Sequence, residues 1–229
     1  MNNGTFTRFQ VYGQRCSGTN ALIKLLERNL SELEFTEAFG FKHWLVPPGV
    51  AIPDDVFVVV IAREASEWLR SLHAKPWHVV PELKQLDFAE FIRAEWRSVW
   101  DDDFWGVEEG HPNFGKPIAE EMCPDTGSPF ANAIAMRTAK LGNWIDVTAR
   151  ARGHALLSQA QLVAEPQQVV RRVAEASGTP MRGDFVPVTS YKGQDNRPFE
   201  PVRHEQLCPE DAAHVSRYLD PGIERQFGV

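Results

Sequence analysis

The sequence predicts an α/β fold, three layers with a mainly parallel central sheet between helices, and three observations predict it. The run VFVVVIA at Val56–Ala62 is continuously apolar and β-branched, as a parallel strand covered on both faces requires. Strand-like and helix-like periodicities alternate along the chain. A glycine-bearing turn in YGQRCSGTNAL, residues 12–22, joins the first strand to the first helix.

The elements follow in order. Phe6 to Tyr12 alternates in strand fashion and ends at Gly13. From Thr19 to Leu30, Ala21, Leu22, Leu25 and Leu26 recur at helical spacing. A second short strand is expected at about Leu33 to Phe39. The Val56–Ala62 strand stops at Arg63, and Ser66 is placed to cap a helix running through Leu72. Helical patterns occupy about Phe88 to Trp100 and Asn132 to Ala151. A strand is expected from His154 to Gln159, then a helix from Pro166 to Ser177 closed by Gly178. Trp100 to Phe130, rich in Pro, Gly and acidic residues, reads as an irregular insertion at about 100–130, of the kind that shapes a substrate site. With 229 residues and 43% hydrophobic content, the chain supports one sizeable core, and a single domain over 1–229 is the expectation.

Composition narrows the function classes. A net charge of −7 argues against a general nucleic-acid binder, whose phosphate-tracking surface is normally basic, so an anion site here must be locally basic. Cys16, Cys123 and Cys208 are odd in number and scattered, which supports neither a disulfide framework nor a zinc site. The stretch MNNGTFTRFQ has no apolar leader-like core, and no run approaches a membrane span, so a cytoplasmic location is expected.

The spacing Gly13-x4-Gly18 is that of a Walker loop, yet Thr19 and Asn20 stand where Lys and Ser/Thr are expected. A glycine turn entering a helix still offers backbone N–H groups and a positive dipole end to an anion. Arg15 brings a cation into the loop itself. The same pattern also suits a plain surface turn. Arg63, at the C-terminal end of its strand, lies on the edge where open α/β sheets bind ligands, and Ser71 follows about two helical turns later. In SYKGQDNR, Lys192 and Gly193 add a third polar loop. Singly each suits a solvated surface. Together they describe a nucleotide phosphorylated at both its 5′ and 3′ ends.

On these residues the chain resembles the sulfotransferase family, whose donor is 3′-phosphoadenosine 5′-phosphosulfate. The resemblance lies in RCSGTN (Arg15, Cys16, Ser17, Gly18, Thr19, Asn20), similar to the loop that binds the 5′-phosphosulfate, and in Arg63 with Ser71 and Lys192 with Gly193, similar to the 3′-phosphate site. KHWLVP, Lys42 to Pro47, looks like the segment carrying the catalytic histidine, and HALLSQAQLVAEPQQVVRRVAEASG is similar to a late strand and helix of many members. The resemblance implies a P-loop NTPase-like (sulfotransferase) topology and a sulfuryl transfer that requires no metal. The chain departs from the family at Cys16, inserted in the loop, at Ala21 in place of an adenine-stacking tryptophan, at Tyr191, and at Gln159 and Gln161, where an acidic pair is common.

Sulfuryl transfer needs in-line positioning and stabilisation of charge on the leaving oxygen, which fixed cations and N–H donors can supply. His43 is the expected general base, since imidazole titrates near neutrality, with Glu37 as the runner-up. Arg15 is expected to supply charge to the donor as part of the catalytic set, and Lys42 either assists at the leaving group or is a solvated strand-end lysine. His43 between Phe41 and Trp44 also suits an interfacial structural histidine. A P-loop small-molecule kinase, a catalytically silent nucleotide-binding protein and an adaptor docking through Trp96 to Trp105 are the competing readings. The expected acceptor is a small molecule or glycan, with Trp44, Trp77, His78, Trp100, Phe104 and Trp105 hinting at an aromatic pocket.

Overall fold

The computed structural model describes residues 5–104, 106–190, 198, 200, 202 and 204–229, so Lys192 and Gly193, with Tyr191 and Trp105, lie outside the described residues. In chain order the elements are β1 (Arg8–Tyr12), α1 (Thr19–Asn29), β2 (Glu34–Phe35), β3 (Val56–Ala62), α2 (Ala65–Ala74), α3 (Phe88–Arg93), α4 (Ala133–Arg150), β4 (Gly153–Ser158), α5 (Gln159–Ala164), α6 (Pro166–Ser177), α7 (Pro209–Tyr218) and α8 (Pro221–Phe227). Among the described residues no helix is long and apolar enough to cross a membrane.

The four strands form one all-parallel sheet in the order β2-β1-β3-β4. The unbroken apolar run of β3 takes an inner position, paired on both edges and buried at every residue. Its side chains alternate between faces. Phe57, Val59 and Ile61 pack with Phe9 and Val11 of β1, Leu22, Leu25 and Leu26 of α1, Leu162 of α5, and Val169, Val170 and Val173 of α6. Val56, Val58, Val60 and Ala62 pack on the other face with Tyr12, with Leu141, Trp144 and Val147 of α4, and with Phe227 of α8. The result is helix, sheet, helix. Full burial of a Val, Ile or Phe side chain is worth about 1.5–3 kcal/mol, so β3 is the main apolar anchor of these layers.

By its internal contacts the chain divides into two compact units: Met1–Glu64 with Leu141–Arg203 and Gly222–Val229, and Ala65–Lys140 with His204–Pro221. The first holds the whole sheet. The second is helical and irregular, built on α2, α3, α7 and the first turns of α4. Arg93 of α3 donates to Asp211 of α7 at 2.6 Å. Deeper inside, Lys140 and the Ser98 hydroxyl both donate to the Glu121 carboxylate, and Trp96 Nε1 donates to Ser98 Oγ at 2.9 Å.

Several boundaries differ from those read in the sequence. The helix expected over Phe88 to Trp100 ends at Arg93, because the next residues find partners far along the chain. The Trp96 amide donates to the Phe130 carbonyl at 2.9 Å, and Val79–Ser98 and Val99–Pro117 form isolated bridges. Trp96 is fully buried, so its helical spacing from the other aromatics reflected core packing. The second strand shrinks to two residues because the chain beyond Thr36 turns to meet β1: Tyr12 Oη donates to the Phe39 carbonyl at 2.8 Å and the Gln10 amide to the Gly40 carbonyl at 3.1 Å. Ser66 lies inside the first turn of α2 and is not its cap.

Candidate functional site

β1 lies between β2 and β3, so the chain leaves β1 toward one side of the sheet and returns to its other side. The carboxyl ends of β1 and β3 therefore form a topological switch point, where open α/β sheets bind ligands. The glycine loop follows β1 there, and Arg63 follows β3.

The loop is fixed by a close approach. A Cβ on Gly13 would lie 2.6 Å from the Ile61 carbonyl oxygen and 2.9 Å from Thr19 Cγ2, so only glycine fits against β3. Ser17 N donates to the Gln14 carbonyl at 3.2 Å, closing a turn. Cys16 and Gly18 both take left-handed backbone conformations, at φ 66° and 87°. Gly18 is then the N-cap of α1 without a side chain to cap it, and the first turn carries no acidic residue. The helix entrance is left for an anion. Beside it, the Ser17 hydroxyl is fully buried and has no hydrogen-bond partner among the described residues. A buried hydroxyl left that way is costly unless something occupies the place it faces. Arg15 and Thr19 are buried, Cys16 is half-buried and Asn20 is exposed.

The KHWLVP segment is tied to this loop from the other end. Gly13 N donates to the Lys42 carbonyl at 3.0 Å, and His43 Nδ1 lies 2.6 Å from the Gly13 carbonyl oxygen. A carbonyl can only accept, so Nδ1 carries the proton and the neutral ring has its lone pair on Nε2. Helix α4 holds the residues that follow. Asn143 accepts from the Val46 amide at 2.8 Å and donates back to the Val46 carbonyl at 3.0 Å, while Trp144 Nε1 donates to the Trp44 carbonyl at 2.9 Å. Phe41 packs edge-on against both His43 and Trp44, with ring centroids 5.2 Å apart in each pair. Nothing in the sequence pattern singled out Asn143 or Trp144; they lie 97 and 100 residues from their partners.

The other candidates divide. Glu37 and Lys42 pair with each other at 3.0 Å, and Lys42 also lies 4.4 Å above the Phe41 ring. Arg63 reaches the loop, with Nη1 3.5 Å from the Cys16 carbonyl oxygen. Ser71 is half-buried on α2 and belongs to the second unit. Position 159, noted in the sequence as a departure from the family, proves to flank the loop: Gln159 Cγ lies 3.5 Å, and Leu162 Cδ2 3.4 Å, from where a Cβ on Gly18 would stand.

The second unit contains a separate polar cluster. Asp101 accepts from His78 Nδ1 at 2.8 Å and from its backbone N–H at 3.1 Å, and the His78 ring stacks on Phe104 with centroids 3.6 Å apart. Burial pushes the Asp101 carboxyl up, but hydrogen bonds from His78 and Lys84 outweigh it and hold it below the ordinary value. His78, Asp101 and Asp103 have the atom types and proximity of metal ligands. Lys84 Nζ already lies 3.2 Å from Asp101 and 3.4 Å from Asp103, so an ammonium ion supplies the positive charge there.

No protein-family model, curated protein or solved structure matches the chain.

Proposed function

We propose that this protein is a sulfotransferase that moves a sulfuryl group from 3′-phosphoadenosine 5′-phosphosulfate to a hydroxyl or amine of a small-molecule or glycan acceptor. The observation that carries the reading is the bond between His43 Nδ1 and the Gly13 carbonyl, which joins a candidate base to the first residue of a candidate phosphate loop. It is supported by the uncapped entrance of α1, the buried Ser17 hydroxyl beside it, and Arg63 at the end of the adjacent strand. The sheet order, with glycine loop and arginine at one switch point, suits a P-loop sulfotransferase-type topology.

In this reading the donor supplies an electrophilic sulfur and a phosphate leaving group. The loop N–H groups, Ser17 and Arg15 receive the charge of the 5′-phosphate, and Arg63 receives the 3′-phosphate. His43 Nε2 takes the proton of the acceptor as its oxygen or nitrogen bonds to sulfur and the bond from sulfur to the phosphate oxygen breaks. Lys42 assists at the leaving oxygen after exchanging Glu37 for it. Neither a lysine after Gly18 nor a hydroxyl for magnesium is needed, which separates the reading from a P-loop kinase.

The test is calorimetric titration with 3′-phosphoadenosine 5′-phosphate, 5′-AMP and magnesium-ATP, followed by transfer of labelled sulfate from the donor to panels of phenols, amines and glycans. Preference for the bisphosphorylated nucleotide together with a labelled product supports the sulfotransferase. Magnesium-dependent ATP turnover in its place sinks the reading in favour of a kinase. Nucleotide binding with no transfer to any acceptor class favours a silent nucleotide-binding protein.

A further inference from the structure

Two side chains of α5 lie over Gly18, those of Leu162 and Gln159, and Gln159 carries a neutral amide. Gly18 is the N-cap of α1, and Gln159, the first residue of α5, contacts the space above it at 3.5 Å through Cγ. Leu162, one turn later on α5, fills the rest of that space at 3.4 Å. α5 is locked in this register by a capping box: the Gln161 amide N–H donates to Ser158 Oγ at 3.3 Å, and the Ser158 N–H donates to Gln161 Oε1 at 3.1 Å. Gln161 is therefore committed to the helix end. Gln159 is not, and it is only half-buried. Its amide nitrogen is two bonds beyond Cγ, the atom that lies 3.5 Å from where a Cβ on Gly18 would stand, so the side chain is long enough to turn toward an anion at the α1 entrance, where the Ser17 hydroxyl is buried without a partner among the described residues.

We infer that Gln159 is a donor-binding residue of this site, giving an amide N–H to a phosphate or sulfate oxygen of the bound nucleotide. The inference rests on the reading of the Gly13–Gly18 loop as an anion site. Neutrality matters as much as hydrogen bonding here. A carboxylate of the same length would stand within a few ångströms of the bound anion and repel it, whereas an amide both tolerates and contacts it. Residue 159 thus sets how highly charged a donor the loop accepts.

Gln159→Glu is the decisive substitution because its effects on fold and on binding have opposite signs. An acidic residue in the first turn of a helix is favourable toward the helix dipole, so the variant should melt at or slightly above the temperature of the unaltered chain. Its affinity for 3′-phosphoadenosine 5′-phosphate should fall about a hundredfold or more, from loss of the amide hydrogen bond together with charge repulsion over this short distance. Gln159→Ala, which removes the amide without adding charge, should lose about ten- to a hundredfold, the worth of one hydrogen bond to a charged group. It also keeps the test alive if the glutamate variant unfolds. Unchanged affinity in a folded Gln159→Glu and in Gln159→Ala overturns this assignment while leaving the loop reading intact. No binding by the unaltered chain overturns both.

Discussion

Gly13 and His43, thirty residues apart in sequence, are bonded through the Gly13 carbonyl oxygen and His43 Nδ1 at 2.6 Å. The Gly13 N–H donates to the Lys42 carbonyl, so one glycine residue holds both neighbours, Lys42 and His43. This fixes the imidazole's tautomer and its position relative to the loop in a single stroke. In the proposed reaction it also separates two jobs of His43, anchoring through Nδ1 and proton acceptance through Nε2.

Those two jobs come apart by mutation. His43→Asn places an amide N–H near the position of Nδ1 and keeps the anchor without a base. It should bind 3′-phosphoadenosine 5′-phosphate about as well as the unaltered chain, while transfer falls about 10²–10⁴-fold and the rise of rate near neutral pH disappears. His43→Ala loses anchor and base together and should weaken nucleotide binding as well. Wild-type transfer rates in a folded His43→Asn would falsify the role of the ring as base, and Glu37 would be the next carboxylate to replace.

Gly13→Ala should destabilise the protein by about 1–3 kcal/mol or more, since the new methyl collides with the backbone of β3, which cannot swing aside. Urea unfolding gives the value. A change under half a kilocalorie would mean that the strand ends separate easily.

Arg63→Ala should erase most of the preference for 3′-phosphoadenosine 5′-phosphate over 5′-AMP, a loss of about 1.5–3 kcal/mol for each charge-assisted hydrogen bond. Equal affinity of the unaltered chain for both nucleotides removes the 3′-phosphate assignment.

Lys140→Met should cost about 3–5 kcal/mol, because the buried Glu121 carboxylate loses its ammonium partner where water cannot replace it. The double variant Glu121→Gln with Lys140→Met should regain much of that stability. Both are read from denaturant midpoints, and additive losses in the double variant would show that the two residues act independently.

The Arg8–Asp55 pair predicts an acid limb. Hydrogen bonds from the Arg8 side chain, then from Thr7, lower the Asp55 carboxyl from its ordinary 3.8 to about 2. A carboxyl lowered by folding adds stability above its unfolded pKa and loses that contribution as pH falls through the folded one. The stability difference between the unaltered chain and Asp55→Asn should therefore be constant above about pH 5 and shrink between about pH 4 and pH 2. A difference that stays constant down to pH 2 counts against the pair.

The sequence by itself determined the elements whose signals are local. VFVVVIA announced a strand buried on both faces, and β3 is that strand. The periodicity from Thr19 marked α1, and Pro166 with Gly178 marked both ends of α6. The pattern Ser158-x-x-Gln161 carried the capping box of α5 in plain view, although the strand expected from His154 ran over its first residue. Arg15, Ser17, Gly18 and Arg63 stood out because each lies close after a strand end that the pattern had already marked.

Only the tertiary structure decided what those strand ends meet. The order β2-β1-β3-β4 put the glycine loop beside Arg63, and a 2.6 Å approach to the Ile61 carbonyl made Gly13 obligatory. Asn143 and Trp144 clamp residues 44–46 across about a hundred positions, and Trp96 leaves the helical pattern to pair with Phe130. Periodicity and capping are set by neighbours within one or two turns, where sequence spacing fixes distance. Hydrogen bonds and packing between distant segments depend on which surfaces the whole chain can bury together, and no window of the sequence contains that information.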